Sequence, residues 1–86
     1  MVESVSKKLG LPPDILEGST IIKSYGDQCV IIENYKSLIE YTENVVKIQG
    51  KHMKIMVEGN DLYIERFEPD ECKVCGKICG ISYVRF

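Results

Sequence analysis

From Thr20 onward the apolar residues of this 86-residue chain recur at every second position. A period of two puts alternate side chains on opposite faces of an extended backbone, which suits strands and excludes an amphipathic helix. Short runs rich in Ile, Val and Tyr alternate with turn residues: Gly26-Asp27, Asn34-Tyr35-Lys36, Glu43-Asn44, Gly50, Gly59-Asn60 and Pro69-Asp70. The spacing predicts strands over 20–25, 28–33, 37–41, 45–49, 53–58, 61–67 and 72–84. Gly59-Asn60 suits a tight hairpin, because glycine takes positive φ without steric cost.

A weak repeat runs through the middle. Val46-Lys47-Ile48-Gln49-Gly50 is echoed nine residues later by Ile55-Met56-Val57-Glu58-Gly59. Either an antiparallel β meander or a short stacked β-coil of about six or seven strands fits this pattern. The meander is favoured, since a solenoid calls for at least three clean repeats. Both arrangements leave partly exposed edge strands, which invite pairing with another chain.

The first nineteen residues have a different texture. Val2, Val5 and Leu9 sit at helical spacing, with Gly10 as a stop. Pro12-Pro13-Asp14 then permits a short helical turn from Asp14 to Leu16, closed by Gly18. The expected fold is therefore mainly β with a short N-terminal helical segment. It forms a single domain over 1–86, helical in 1–19 and β in 20–86.

At this length the folded chain buries only about 60–65% of the surface its unfolded form exposes. Self-association, giving a homo-oligomer, or a protein partner is a natural supplement. A net charge of −2 with interspersed Lys, Arg, Asp and Glu argues against nucleic-acid binding. No run approaches the roughly 20 apolar residues of a membrane span, so no membrane insertion is expected. Met1 to Gly10 lacks the apolar core and cleavage site of a signal peptide. A cytoplasmic location follows as the expectation, with the four cysteines present as reduced thiols or metal ligands.

The strongest local chemical signal is Cys72-Lys73-Val74-Cys75-Gly76-Lys77, followed by Cys79. Two thiolates on a tight turn would resemble a zinc knuckle, but tetrahedral zinc takes four ligands. Cys79 with Cys29 or His52 would have to complete the set. Against this, Cys72, Val74, Gly76 and Ile78 share one strand parity, which sends Cys72 and Cys75 to opposite faces unless Gly76 is bulged. Structural thiols are the better reading, and no cofactor is expected.

Catalytic residues are not evident. His52, the single histidine, stands between Lys51 and Met53-Lys54 and reads as solvated. Asp70-Glu71 follows a turn proline, and Gly76 to Gly80 lacks the Lys-Ser/Thr of a phosphate loop. Tyr25, Tyr35, Tyr41, Tyr63, Tyr83, Phe67 and Phe86 would make a base-stacking platform only beside a basic groove. Glu33, Glu40, Glu65 and Glu68 oppose that, so the rings read as core and strand-edge packing.

Taken in order, these pieces resemble the YabP/YqfC sporulation family, its YqfC branch in particular. The resemblance rests on Leu9-Gly10-Leu11-Pro12-Pro13-Asp14-Ile15-Leu16, the run from Ile31 to Tyr41, Val45-Val46-Lys47-Ile48, the segment from Gly50 to Ile64, and the close from Val74 to Tyr83. It spans Leu9 to Tyr83. The cysteines depart from the family pattern, in which charged or aliphatic residues stand at Cys72, Cys75 and Cys79. The resemblance implies a non-enzymatic protein, made in the mother cell of a spore-forming bacterium and needed for spore development. It carries over no catalytic or binding residue. The expected action is that of a β-rich scaffold or adaptor, with other sporulation proteins among its partners. The alternative is a small zinc-binding module organised by the C-terminal cysteines.

Overall fold

The computed structural model describes residues 19–85. The helical segment expected over 1–19 lies outside the described residues, save for the bend at Ser19. Six strands follow: β1 Ile21–Tyr25, β2 Cys29–Glu33, β3 Ser37–Tyr41, β4 Val45–Gln49, β5 Met53–Glu68 and β6 Glu71–Arg85. All neighbours are antiparallel, in the order β1-β2-β6-β5-β4-β3.

The first four strands are short because turn chemistry interrupts them. Gly26 takes φ 60° after β1, and Gln28 N donates to Tyr25 O at 3.3 Å. Asn34 ends β2 at φ 62°, a conformation its short polar side chain tolerates. Thr42 Oγ1 accepts from Asn44 N at 3.2 Å and Val45 N at 2.9 Å, closing the β3–β4 turn.

Two expectations are corrected. Gly59-Asn60 is not a hairpin: 53–58 and 61–67 merge into the single strand β5, and the count settles at six. A simple meander covers only β3 to β6; β2 joins non-sequentially, against β6. A stacked coil is excluded by the continuous antiparallel ladder. Lys77 explains the first error. Its backbone carbonyl oxygen lies where a Cβ on residue 59 would stand, so glycine serves close backbone approach and not a turn.

β5 and β6 form a long ribbon joined at Pro69-Asp70. Its register slips three times, leaving Cys79 as an extra residue on β6, then one extra residue near Asp61, then Glu65 on β5. β4 pairs with Met53's end of β5, whereas β2 pairs with Glu71's end of β6. Antiparallel pairing puts these at opposite ends of the ribbon. Even so, Val30 and Ile32 of β2 share one core with Val46 and Ile48 of β4. The ribbon must therefore be creased at its middle, where Gly59, Asp61 (φ 54°) and Gly76 (φ 138°) stand.

Each terminal hairpin fastens its turn to this crease. Gly76 N donates to Gln28 O and Ile78 N to Asp27 O, both at 2.9 Å. From the other side, Gly59 N donates to Asn44 O at 3.0 Å and Leu62 N to Glu43 O at 2.8 Å. The bulged backbone is thus satisfied and not orphaned. Inside the fold, Val30, Ile32, Val46, Ile48, Ile55, Val57 and Val74 are fully buried. Each such side chain contributes roughly 1.5–3 kcal/mol through removal from water.

Candidate functional site

On the face of the sheet turned away from the core, one row crosses four strands. Tyr25 of β1 is opposite Cys29 of β2, Cys29 is opposite Cys75 of β6, and Cys75 is opposite Tyr63 of β5. The bond from Gly76 N to Gln28 O makes 28/76 a hydrogen-bonded pair, so by alternation Cys29/Cys75 is a non-hydrogen-bonded one. Such pairs bring side chains closest, and here the Cα atoms are 4.1 Å apart. Cys29 and Cys75 form a disulfide. The exposed rings of Tyr25 and Tyr63 flank it, and Cys75 is buried between its neighbours.

Glu65 completes the group. Two residues after Tyr63 on β5, it shares this outer face by ordinary alternation, beside the register shift between Ile64 and Arg66. Its Oε2 lies 3.1 Å from Cys75 Sγ and its Oε1 lies 3.3 Å from Lys73 Nζ. The two sulfurs and a Glu65 oxygen all fall within 4.8 Å of one another. Charges continue along the face: Lys23 Nζ reaches Glu33 Oε2 at 3.2 Å, and Arg66 reaches Glu71 at 3.4 Å. The Glu33 hydrogen bond and charge raise the Lys23 pKa above its ordinary value.

The sequence-predicted ligands are placed apart, with one exception. Cys72 is fully buried in the core, opposite Ile32, and burial pushes its thiol up to about 11. Cys75 is on the other face, as strand parity requires. Cys79 is an exposed free thiol at the crease, with Asn60 Nδ2 at 3.9 Å. His52 is exposed in the turn before β5, toward the opposite end of β6 from Cys75. A zinc set of Cys72, Cys75 and Cys79 is therefore corrected: the structure does not bring these sulfurs together. Cys29 and Cys75 do meet, but as a disulfide where reduced thiols were expected. Their sequence separation of 46 hides the pairing, which only the β2–β6 register creates.

Glu65 escapes sequence reasoning because alternation puts it on the face of Tyr63 but says nothing of which residues lie beside it there; that register is set by the partner strand. Of the aromatic residues, Tyr35 is core, donating its hydroxyl to Glu68 O and lying 6.0 Å from the Phe67 ring. Burial raises its pKa, with further contributions from Cys72, Asp70 and Glu68. Tyr25, Tyr41, Tyr63, Phe67 and Tyr83 are exposed on the strands, so of the expected core and strand-edge packing the core part falls to Tyr35 among the described rings. Tyr41 nonetheless helps to hold the bulge, since its Oη accepts from the amide Ile64 N at 3.1 Å.

Residues 18–85, spanning every strand described, match the YabP family. The chain belongs to the YabP family. It is 28% identical over 80 residues to the uncharacterized protein YqfC of Bacillus subtilis (strain 168), covering 93% of this chain and 86% of that one. No solved structure matches it. The disulfide, Glu65 and the creased ribbon all lie inside the segment shared with the YabP family.

Proposed function

We propose that this YabP-family chain is a non-enzymatic sporulation protein of the mother-cell cytoplasm. In this reading it is a β-rich scaffold that acts by pairing its β1 edge with a second copy of the chain. Family membership and the resemblance of its motifs to the YqfC branch support the sporulation assignment. No helix among the described residues is long and apolar enough to cross a membrane.

One observation carries the scaffold reading: β1 is a terminal strand in unbroken register with β2 over five residues. The even-numbered residues of β2 bond toward β6, so its odd-numbered ones bond toward β1. By the same alternation, Ile22 and Ser24 point their backbone N–H and C=O groups outward, away from the sheet. Lys23, a residue that often blunts such edges, is drawn aside by Glu33. At the opposite edge, β3 is broken by a bulge at Ile39, which makes it a poorer template. Ile21 and Tyr25 add exposed apolar surface beside the β1 edge.

Size-exclusion chromatography with light scattering tests this. Wild type should run as a dimer or larger, and Ser24→Pro should shift it to monomer by removing an outward N–H. Proline is tolerated on an edge, so the far-UV circular dichroism should be unchanged. A wild type that stays monomeric at high concentration, or an assembly indifferent to Ser24→Pro, would overturn edge pairing.

A further inference from the structure

We infer that Cys29, Cys75 and Glu65 form a divalent-metal site, selective for zinc, when the disulfide is reduced. The site is distinct from any cluster of C-terminal cysteines, because it is assembled from three strands across the outer face.

The contact between Glu65 and Cys75 is the first argument. A disulfide sulfur has no proton to donate, so Glu65 Oε2 at 3.1 Å sets two electron-rich atoms against each other. The same geometry is favourable once Cys75 is a thiol, and more so once a cation stands between the atoms. Placement is the second argument. Glu65 shares the outer face with Tyr63, and the register shift between Ile64 and Arg66 leaves it with no residue directly opposite on β6, beside the Cys29–Cys75 pair. Two thiolates and one carboxylate, all within 4.8 Å, form a donor set for zinc. Two zinc–sulfur bonds of about 2.3 Å at the tetrahedral angle call for sulfurs about 3.8 Å apart. Side-chain rotation reaches that separation without moving the paired backbones. The fourth position stays open to solvent, on the exposed side of Glu65. The three anionic donors leave a charge of −1 on the zinc complex, next to the Lys73 ammonium.

The redox step balances with a dithiol as reductant. Its two sulfurs join as the Cys29–Cys75 bond breaks, and its two protons pass to Cys29 and Cys75. The incoming ion then displaces both protons and binds the resulting thiolates. Oxidised chain has no thiolate to offer and does not bind.

The test uses the intact chain, reduced and held free of oxygen, titrated with Co²⁺ and then with Zn²⁺. One Co²⁺ should bind per chain, with sulfur-to-cobalt charge-transfer absorption and tetrahedral visible bands, both bleached by Zn²⁺. Cys72→Ser and Cys79→Ser should retain the bands, whereas Cys29→Ser and Cys75→Ser should lose them. Glu65→Gln, a surface change that leaves the strands and thiols in place, should weaken Co²⁺ binding by roughly tenfold or more. Loss of an outer-shell partner already costs that much. Absent bands in folded, reduced wild type would overturn the site. So would bands that survive Cys29→Ser, bands lost only with Cys79→Ser, or affinity unmoved by Glu65→Gln.

Discussion

Cys72 and Cys79 share one strand and differ sharply in burial. Cys72 is sealed in the core with its pKa raised by burial from 9.0 to about 11, while Cys79 is exposed at the crease. The reactive form is the thiolate, and at pH 7 only about one Cys72 in ten thousand is ionised. Iodoacetamide should therefore label one cysteine per folded, oxidised chain at neutral pH, namely Cys79. Cys72 should react only in urea or as the pH climbs toward 11, as read by peptide mass spectrometry. The same shift acts on stability. Between pH 9 and 11 the unfolded chain has released the Cys72 proton and the folded chain has kept it, so stability falls as pH rises through that window. Below pH 9 both states hold the proton and the contribution is intact. Tyr35, also raised by burial, adds to the alkaline loss in the same direction.

At the scale of elements, the crease decides the fold, and glycine decides the crease. A Cβ at Gly59 would meet the backbone of Lys77, and one at Gly76 would meet the backbone of Asp61, whereas Gly80 faces open space. Gly59→Ala should lower the urea midpoint by the equivalent of about 1–3 kcal/mol or prevent folding, with Gly80→Ala within about 0.5 kcal/mol of wild type. The period of two, with Gly26, Asn34, Asn44 and Gly50 as punctuation, makes β1 to β4 legible in the sequence to within one residue. It fails at Gly59-Asn60, while the strand expected over 72–84 is β6 to within one residue at each end. Glycine for a hairpin and glycine for close backbone approach are the same letter, and only the partner strand tells them apart. Bulges defeat parity in the same way. Cys72 and Cys75 are separable by alternation because no bulge falls between them. Arg66 is misplaced by parity, because the slip between Ile64 and Arg66 depends on β6, and the neighbours of Glu65 are set by that same register. Cys29 and Cys75 stand among the zinc candidates, but their pairing is a matter of register, and register is not local.

For the whole molecule, the Cys29–Cys75 link joins β2 to the ribbon across a sequence separation of 46. Closing a loop of that size stabilises by about 4 kcal/mol in the chain-entropy picture, with smaller values common. Removing it with a phosphine should lower the thermal midpoint by about 10 °C or more in a domain of this size, measured by circular dichroism without added metal. An unchanged midpoint would mean that the core alone holds β2 in place. The two turns hooked onto the crease have a consequence for how this architecture can drift. Residues 26–28 and 42–44 meet the ribbon through their own carbonyls, one loop from each flank. An insertion in either loop would unlatch its half of the molecule, so length variation must be confined to places that clasp nothing.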